Sequence, residues 1–239
     1  MARTRVIVWY ATAWSYLVLT YPMILCAWLF CRFGRVDKSD SLAYTIMLPF
    51  SKLTFYITGS RLNITGLENI PDNQAVVYVS NHQGHMDSMI LHGFIKRPKG
   101  FVTITKFQRA PILRTWMKYM GCVFMDKENI RQSLGCINQA AENLKRGLSM
   151  VVFPEGKLND GKETLKFETG WLRLVTKTGV PIVPITLKGS YEAFTYNGKG
   201  MYPTKVECII SEPIETHGIN KKNENEFMQN LRDVILAKL

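Results

Sequence analysis

The chain has 239 residues, with 30 basic against 19 acidic side chains and a formal charge of +11. That length holds a large folded domain with an appendage, and the charge favours anionic partners: phospholipid, phosphorylated substrate, an acidic carrier or nucleic acid. The five cysteines (Cys26, Cys31, Cys122, Cys136 and Cys208) are scattered and include no CxxC pair, which excludes a disulfide framework or zinc knuckle and points to a reducing, cytoplasm-facing catalytic part.

The amino-terminal stretch comes first. No charged residue lies between Arg5 and Arg32, and the run VIVWYATAWSYLVLTYPMILCAWLFC exceeds the roughly 20 residues that a bilayer-crossing helix needs. It predicts a membrane segment in which Pro22 permits a kink, and it is too long for the apolar part of a cleaved signal peptide. Arginines flank both ends, so charge sets no orientation. A second stretch, SLAYTIMLPFSKLTFYI from Ser41 to Ile57, is interrupted by Pro49 and Lys52. That pattern suits a helix pair lying in or dipping into one leaflet. A single pass and a monotopic hairpin both fit. Residues 1–58 are predicted to be a membrane-anchoring helical segment and residues 59–239 an α/β domain.

Beyond Arg61, short β-branched runs alternate with helical patterns. Strands are predicted at Leu62 to Thr65, Ala75 to Val79, Phe101 to Thr105, Cys122 to Met125, Met150 to Phe153, Ile182 to Leu187 and Val206 to Ile210. Helices are predicted at Met86 to Ile95, Gln108 to Met120, Asn129 to Lys145, Glu168 to Thr178 and Asn223 to Lys238. The alternation implies an α/β fold with a mixed, largely parallel central sheet and helices on both faces, preceded by a membrane helix or helix pair. From Ser88 to Met125 there is no acidic residue, while Lys96, Arg97, Lys99, Lys106, Arg109, Arg114 and Lys118 are interleaved with bulky apolar residues. Such a segment reads either as an amphipathic helix on a core or as a membrane-surface element.

The segment SNHQGHMDS, Ser80 to Ser88, follows a predicted strand and holds two of the four histidines. It reads as a metal site, as a base held by a carboxylate, or as polar residues closing a strand. The metal reading is short of ligands, since only His92 and His217 remain to complete the set. In a continuous helix, positions five apart point about 140° away from each other. His82 and Asp87 therefore meet only if His82 precedes the helix and Asp87 lies in its first turn. A carboxylate on one imidazole nitrogen fixes the tautomer and supports proton uptake at the other. No G-x-S-x-G elbow supplies a nucleophile, which leaves that role to a substrate hydroxyl.

The stretch MVVFPEGKLNDGKE, residues 150–163, contains Gly156-x-x-x-x-Gly161-Lys162, a near match to a phosphate-binding P-loop. Glu163 stands where Ser or Thr would reach a magnesium ion, which argues against nucleotide hydrolysis. The loop still gathers Gly156, Lys157 and backbone amides suited to one phosphate group.

In this order the motifs resemble the 1-acylglycerol-3-phosphate acyltransferase family, glycerolipid acyltransferases with an H-x4-D signature. NHQGHMD (Asn81 to Asp87), Lys106 through Pro111 to GCVFMDK (Gly121 to Lys127), FPEGK (Phe153 to Lys157) and VPIVPI (Val180 to Ile185) match four family blocks. The resemblance implies acyl transfer from an acyl thioester, on coenzyme A or acyl-carrier protein, to the sn-2 hydroxyl of 1-acylglycerol-3-phosphate, giving phosphatidic acid. It implies His82 as the general base and Asp87 as its orienter. Lys106, Lys127, Glu155, Gly156 and Lys157 become candidate substrate- or phosphate-binding residues, with Lys106 facing the thioester oxyanion. No metal, no other cofactor and no nucleic acid are expected, and the location implied is a membrane with the catalytic domain on its cytoplasmic side.

The sequence departs from the family pattern at two places. Leu158 stands where the family places a phosphate-binding arginine, and Glu168 replaces a base. Lys157 carries a charge but not the bidentate fork of arginine. The alternatives are an acyltransferase for another lysophospholipid or acceptor, and a non-catalytic membrane lipid-binding protein.

Overall fold

A computed structural model describes residues 2–104, 110–126, 129–195 and 200–239. Helices α1 (Ala2–Thr20) and α2 (Met23–Arg32) meet at a 49° bend, where Pro22 has no N–H to continue the helical ladder. Among the described residues no single helix is long and apolar enough to cross a membrane, whereas the bent pair meets that requirement by length and composition. The continuous run read from the sequence is thus two helices.

Helix α3 (Val36–Ile57) passes through Pro49 and Lys52 without a break, which corrects the expectation of an interrupted stretch. Packing explains the continuity. Ala43, Met47, Phe50 and Thr54 are buried along one face, and α1 is fastened alongside: Trp9 Nε1 donates to Thr54 O at 3.0 Å and the Tyr16 hydroxyl to Ile46 O at 2.7 Å. The fixed contacts outweigh the one backbone bond that proline forfeits.

Among the described residues seven strands follow: β1 (Arg61–Thr65), β2 (Val77–Ser80), β3 (Lys99–Ile104), β4 (Val123–Met125), β5 (Ser149–Val152), β6 (Ile182–Lys188) and β7 (Lys205–Ile210). They form one sheet in the order β1-β7-β6-β2-β5-β3-β4. Every neighbouring pair is parallel except β6 with β7. Helices α4 (Met86–Phe94) and α5 (Pro111–Tyr119), with the amino-terminal helices, cover one face; α6 (Ile130–Lys145), α7 (Arg173–Thr178) and α9 (Glu224–Leu236) cover the other. A short helix, α8 (Ser190–Ala193), follows β6.

Alternation within the strands explains the two layers. Val76 and Tyr78 of the β2 run enter the core shared with α3 and α4, while Val77 and Val79 enter the core under α6, α7 and α9. Because both faces are covered, the run is apolar throughout. From β2 the chain passes through α4 to β3, and from β5 through α7 to β6, in opposite directions along the sheet. The carboxyl ends of β2 and β5 therefore form a switch point of the sheet, the place where open α/β sheets carry a ligand crevice.

The core also buries charge-bearing groups. Lys99 is 1% exposed; its Nζ donates to Ile95 O and Arg97 O, both at 2.7 Å, and lies 5.5 Å from the Tyr44 ring centroid. Burial pushes the Lys99 ammonium down from 10.5 to about 7. Between those values the unfolded chain holds a proton there that the folded chain has released, so Lys99 makes stability climb with pH. Replacing Lys99 by Met removes that contribution. In urea unfolding, the stability of wild type minus that of Lys99→Met is expected to rise by up to about 1.4 kcal/mol per pH unit between pH 7 and 10.5; a difference that is flat with pH would contradict it.

Candidate active site

Asn81 and His82 directly follow β2, and Asp87 is the second residue of α4. The geometry meets the condition set by the spacing: His82 Nδ1 lies 2.8 Å from Asp87 Oδ2. A carboxylate only accepts, so Nδ1 carries the hydrogen, and in the neutral imidazole that tautomer leaves the lone pair on Nε2. The Asp87 side chain is fully buried and that of His82 is 19% exposed. The same carboxylate oxygen accepts the Gly84 N–H at 2.9 Å, closing the loop between the two residues.

Asn81 extends the strand pairing by its side chain. Its Nδ2 donates to Leu187 O and its Oδ1 accepts the Leu187 N–H, both at 2.8 Å, which ties the loop to β6. Gly84 sits against the segment after β6: a Cβ there would lie 2.9 Å from Tyr191 Cα. On the other side, the left-handed Gly161 (φ 72°) faces the Tyr191 ring, and a Cβ would approach it to 2.3 Å. Two loops and α8 thus meet with room only for glycine at two contacts.

Glu155 lies inside this junction, 4% exposed. Its Oε1 accepts the His82 N–H at 2.8 Å, its Oε2 the Leu165 N–H at 2.8 Å, and Asn159 Nδ2 lies within 3.2 Å of both oxygens. The carboxylate turns inward and is committed to protein donors. Gly156 adopts the left-handed conformation (φ 66°) that turns the chain, and Lys157 is exposed on the loop. No helix begins between Val152 and Gly170, so the P-loop spacing lacks the helix N-terminus that cradles a nucleotide phosphate. Arg232 of α9 holds the far end of the loop, donating to Thr164 O at 2.7 Å.

The structure therefore brings His82, Asp87, Glu155 and Gly156 together, with Lys157 on the adjoining loop surface; Lys106 and Lys127 lie outside the described residues. Asn81, Asn159, Tyr191 and Arg232 carry no local signal as site residues, because each reaches the junction through a contact distant in the chain. His85, the residue before α4, lies beside the Phe194 ring, centroids 5.8 Å apart. Among the described residues no three His, Cys, Asp or Glu side chains are grouped to hold a metal ion. Ser80 is fully buried and its hydroxyl donates to Asn81 O, which removes it as a nucleophile.

An imidazole backed by a buried carboxylate at this switch point is an arrangement that can take up a proton. The acyltransferase family model matches residues 61–188, from β1 to the end of β6. A 1-acyl-sn-glycerol-3-phosphate acyltransferase of Borreliella burgdorferi is 26% identical over 83% of this chain and 79% of its own length. A probable 1-acyl-sn-glycerol-3-phosphate acyltransferase of Mycoplasma pneumoniae is 33% identical over 75% and 71%. The crystal structure of the 1-acyl-sn-glycerophosphate acyltransferase of Thermotoga maritima superposes with a TM-score of 0.72 at 24% identity, covering 97% of this chain and 94% of that one, and has the same fold. The chain belongs to this acyltransferase family.

Glu155 gives a direct check of the junction. Glu155→Gln places an NH2 group against at least one of the donors that now meet the carboxylate. We expect a stability loss of about 1–3 kcal/mol in urea unfolding, with activity falling alongside; unchanged stability would contradict the buried junction.

Proposed function

We propose that the protein transfers a fatty acyl group from an acyl thioester to the sn-2 hydroxyl of 1-acylglycerol-3-phosphate, yielding phosphatidic acid. The observation that carries this reading is the His82–Asp87 pair at 2.8 Å in the sheet crevice, together with the relatives that bear that activity in their names. His82 Nε2 takes the proton of the acceptor hydroxyl as its oxygen bonds to the thioester carbonyl carbon. Asp87 stabilises the imidazolium. The tetrahedral intermediate then collapses, the carbon–sulfur bond breaks, and the proton on His82 passes to the departing thiolate. Ester and free thiol are the products, and no acyl-enzyme forms. The donor thiol is coenzyme A or acyl-carrier protein, Lys106 is assigned to stabilise the developing oxyanion, and Gly156, Lys157 and Lys127 are assigned to bind phosphate.

The acceptor is a bilayer lipid, and we place the chain on a membrane through residues 1–58, with residues 59–239 as the catalytic domain on the cytoplasmic side. Exposed apolar residues support this placement: Ile7, Trp14 and Leu19 on α1, Leu25 and Trp28 on α2, and Phe33 after it. Buried thiols at Cys122 and Cys208 suit a reducing compartment. Leu158 supports a second reading of the acceptor, another lysophospholipid, since an alkyl chain occupies the position of the phosphate-gripping arginine.

Purified protein in phospholipid vesicles, given one labelled acyl thioester and a panel of lysolipids, is expected to acylate lysophosphatidate fastest. His82→Ala and Asp87→Asn are expected to lower kcat by at least about 100-fold, the contribution of a positioned base. Full activity in His82→Ala would remove the mechanism; preference for a different lysolipid would keep it and reassign the acceptor.

A further inference from the structure

The loop after β5 grips His82 from more than one side. Besides the Glu155 carboxylate on its N–H, the Asn159 N–H donates to His82 O at 2.9 Å. The third contact is on the ring itself. The Phe153 ring lies parallel to the imidazole, with centroids 3.9 Å apart and planes 14° from each other. Both rings hang from adjacent parallel strands: Val152 pairs with Val79, and Phe153 and His82 lie just beyond that pair.

An imidazole bonded at one nitrogen keeps a freedom that the bond does not remove. Rotation about Cβ–Cγ is broad, and a ring tethered through Nδ1 can rock about that hydrogen bond. Rocking displaces Nε2, because that atom lies two bonds from the tether across the ring. A flat aromatic face in van der Waals contact blocks that motion and keeps water from one side of the ring. Aliphatic side chains fill space without presenting such a plane.

We propose that Phe153 is a positioning residue that fixes the plane of the His82 imidazole, so that Nε2 points at the acceptor hydroxyl. The first residues of the FPEGK segment thus serve the base, in a chain where Leu158 replaces the phosphate-binding arginine at its other end. The proposal rests on the reading of His82 as general base.

Two readouts on the full-length protein in vesicles or detergent micelles test it. In spectra of histidine labelled with carbon-13 at Cε1, ring current from Phe153 shifts the His82 signal upfield; Phe153→Leu is expected to abolish that shift and Phe153→Tyr to keep it. With a saturating acyl thioester and lysophosphatidate, Phe153→Leu is expected to lower kcat about 10- to 100-fold, the scale of a misplaced catalytic group. Both KM values should stay within about twofold, because the acceptor and donor contacts are untouched. Phe153→Tyr is expected to recover most of the rate. Should Phe153→Leu not fold, Phe153→Met, flexible and without a plane, carries the same comparison. Loss of the ring-current shift with kcat intact would overturn the proposal, as would a defect confined to KM, which would make Phe153 part of the substrate wall. Full activity in His82→Ala would instead remove the base, and is a separate failure.

Discussion

The carboxylate of Glu155 joins two loops that lie 73 residues apart in the chain. A buried carboxylate is costly unless every lone pair meets a donor, and here the donors are the main chain of His82, the main chain of Leu165 and the side chain of Asn159. The cost becomes a constraint on shape. The loop after β2 and the loop after β5 hold the one geometry in which those donors converge, and that geometry places an imidazole on the crevice. Asn81 does the equivalent on the opposite side, fastening the same loop to β6 through a pair of hydrogen bonds that imitate a strand ladder. The proposed base thus stands on a loop held from both neighbouring strands.

The helix that carries Asp87 is also the helix on which α3 rests. Gly93 lets the α3 backbone approach closely: a Cβ there would lie 3.2 Å from Lys52 N. His92 of α4 meets the Ser51 hydroxyl of α3 at 3.1 Å in a fully buried contact. Residues of α1 and α3 share one core with α4, β2 and β6. The apolar amino-terminal segment and the α/β part are therefore physically continuous at this seam. The exposed apolar helices proposed to engage lipid thus connect, through α3, to the helix that carries Asp87.

Much of this was legible in the sequence because it obeys local rules. Alternation and length located all seven strands to within two residues at either end, and the five-residue interval between His82 and Asp87 dictated that the helix begin between them. The amino-terminal helices were read less well. The kink that Pro22 permits is the 49° bend between α1 and α2; Pro49 suggested a break, whereas the packing of α3 on α1 and α4 carries the helix through. The role of Glu155 was hidden for a different reason. A glutamate in a polar, glycine-containing loop reads as a surface ligand, and only the long-range partners of its two oxygens turn it into a structural tie. The contacts of Tyr191 with Gly84 and Gly161 are equally invisible to any local pattern.

In the proposed mechanism His82 activates the acceptor directly and the acyl group never resides on the protein. Mass spectrometry of rapidly quenched enzyme, mixed with acyl thioester in the absence of acceptor, tests it. Protein of unmodified mass and no burst of free thiol are expected. A stoichiometric burst accompanied by one acyl group on the protein, formed and consumed fast enough to lie on the reaction path, would contradict it.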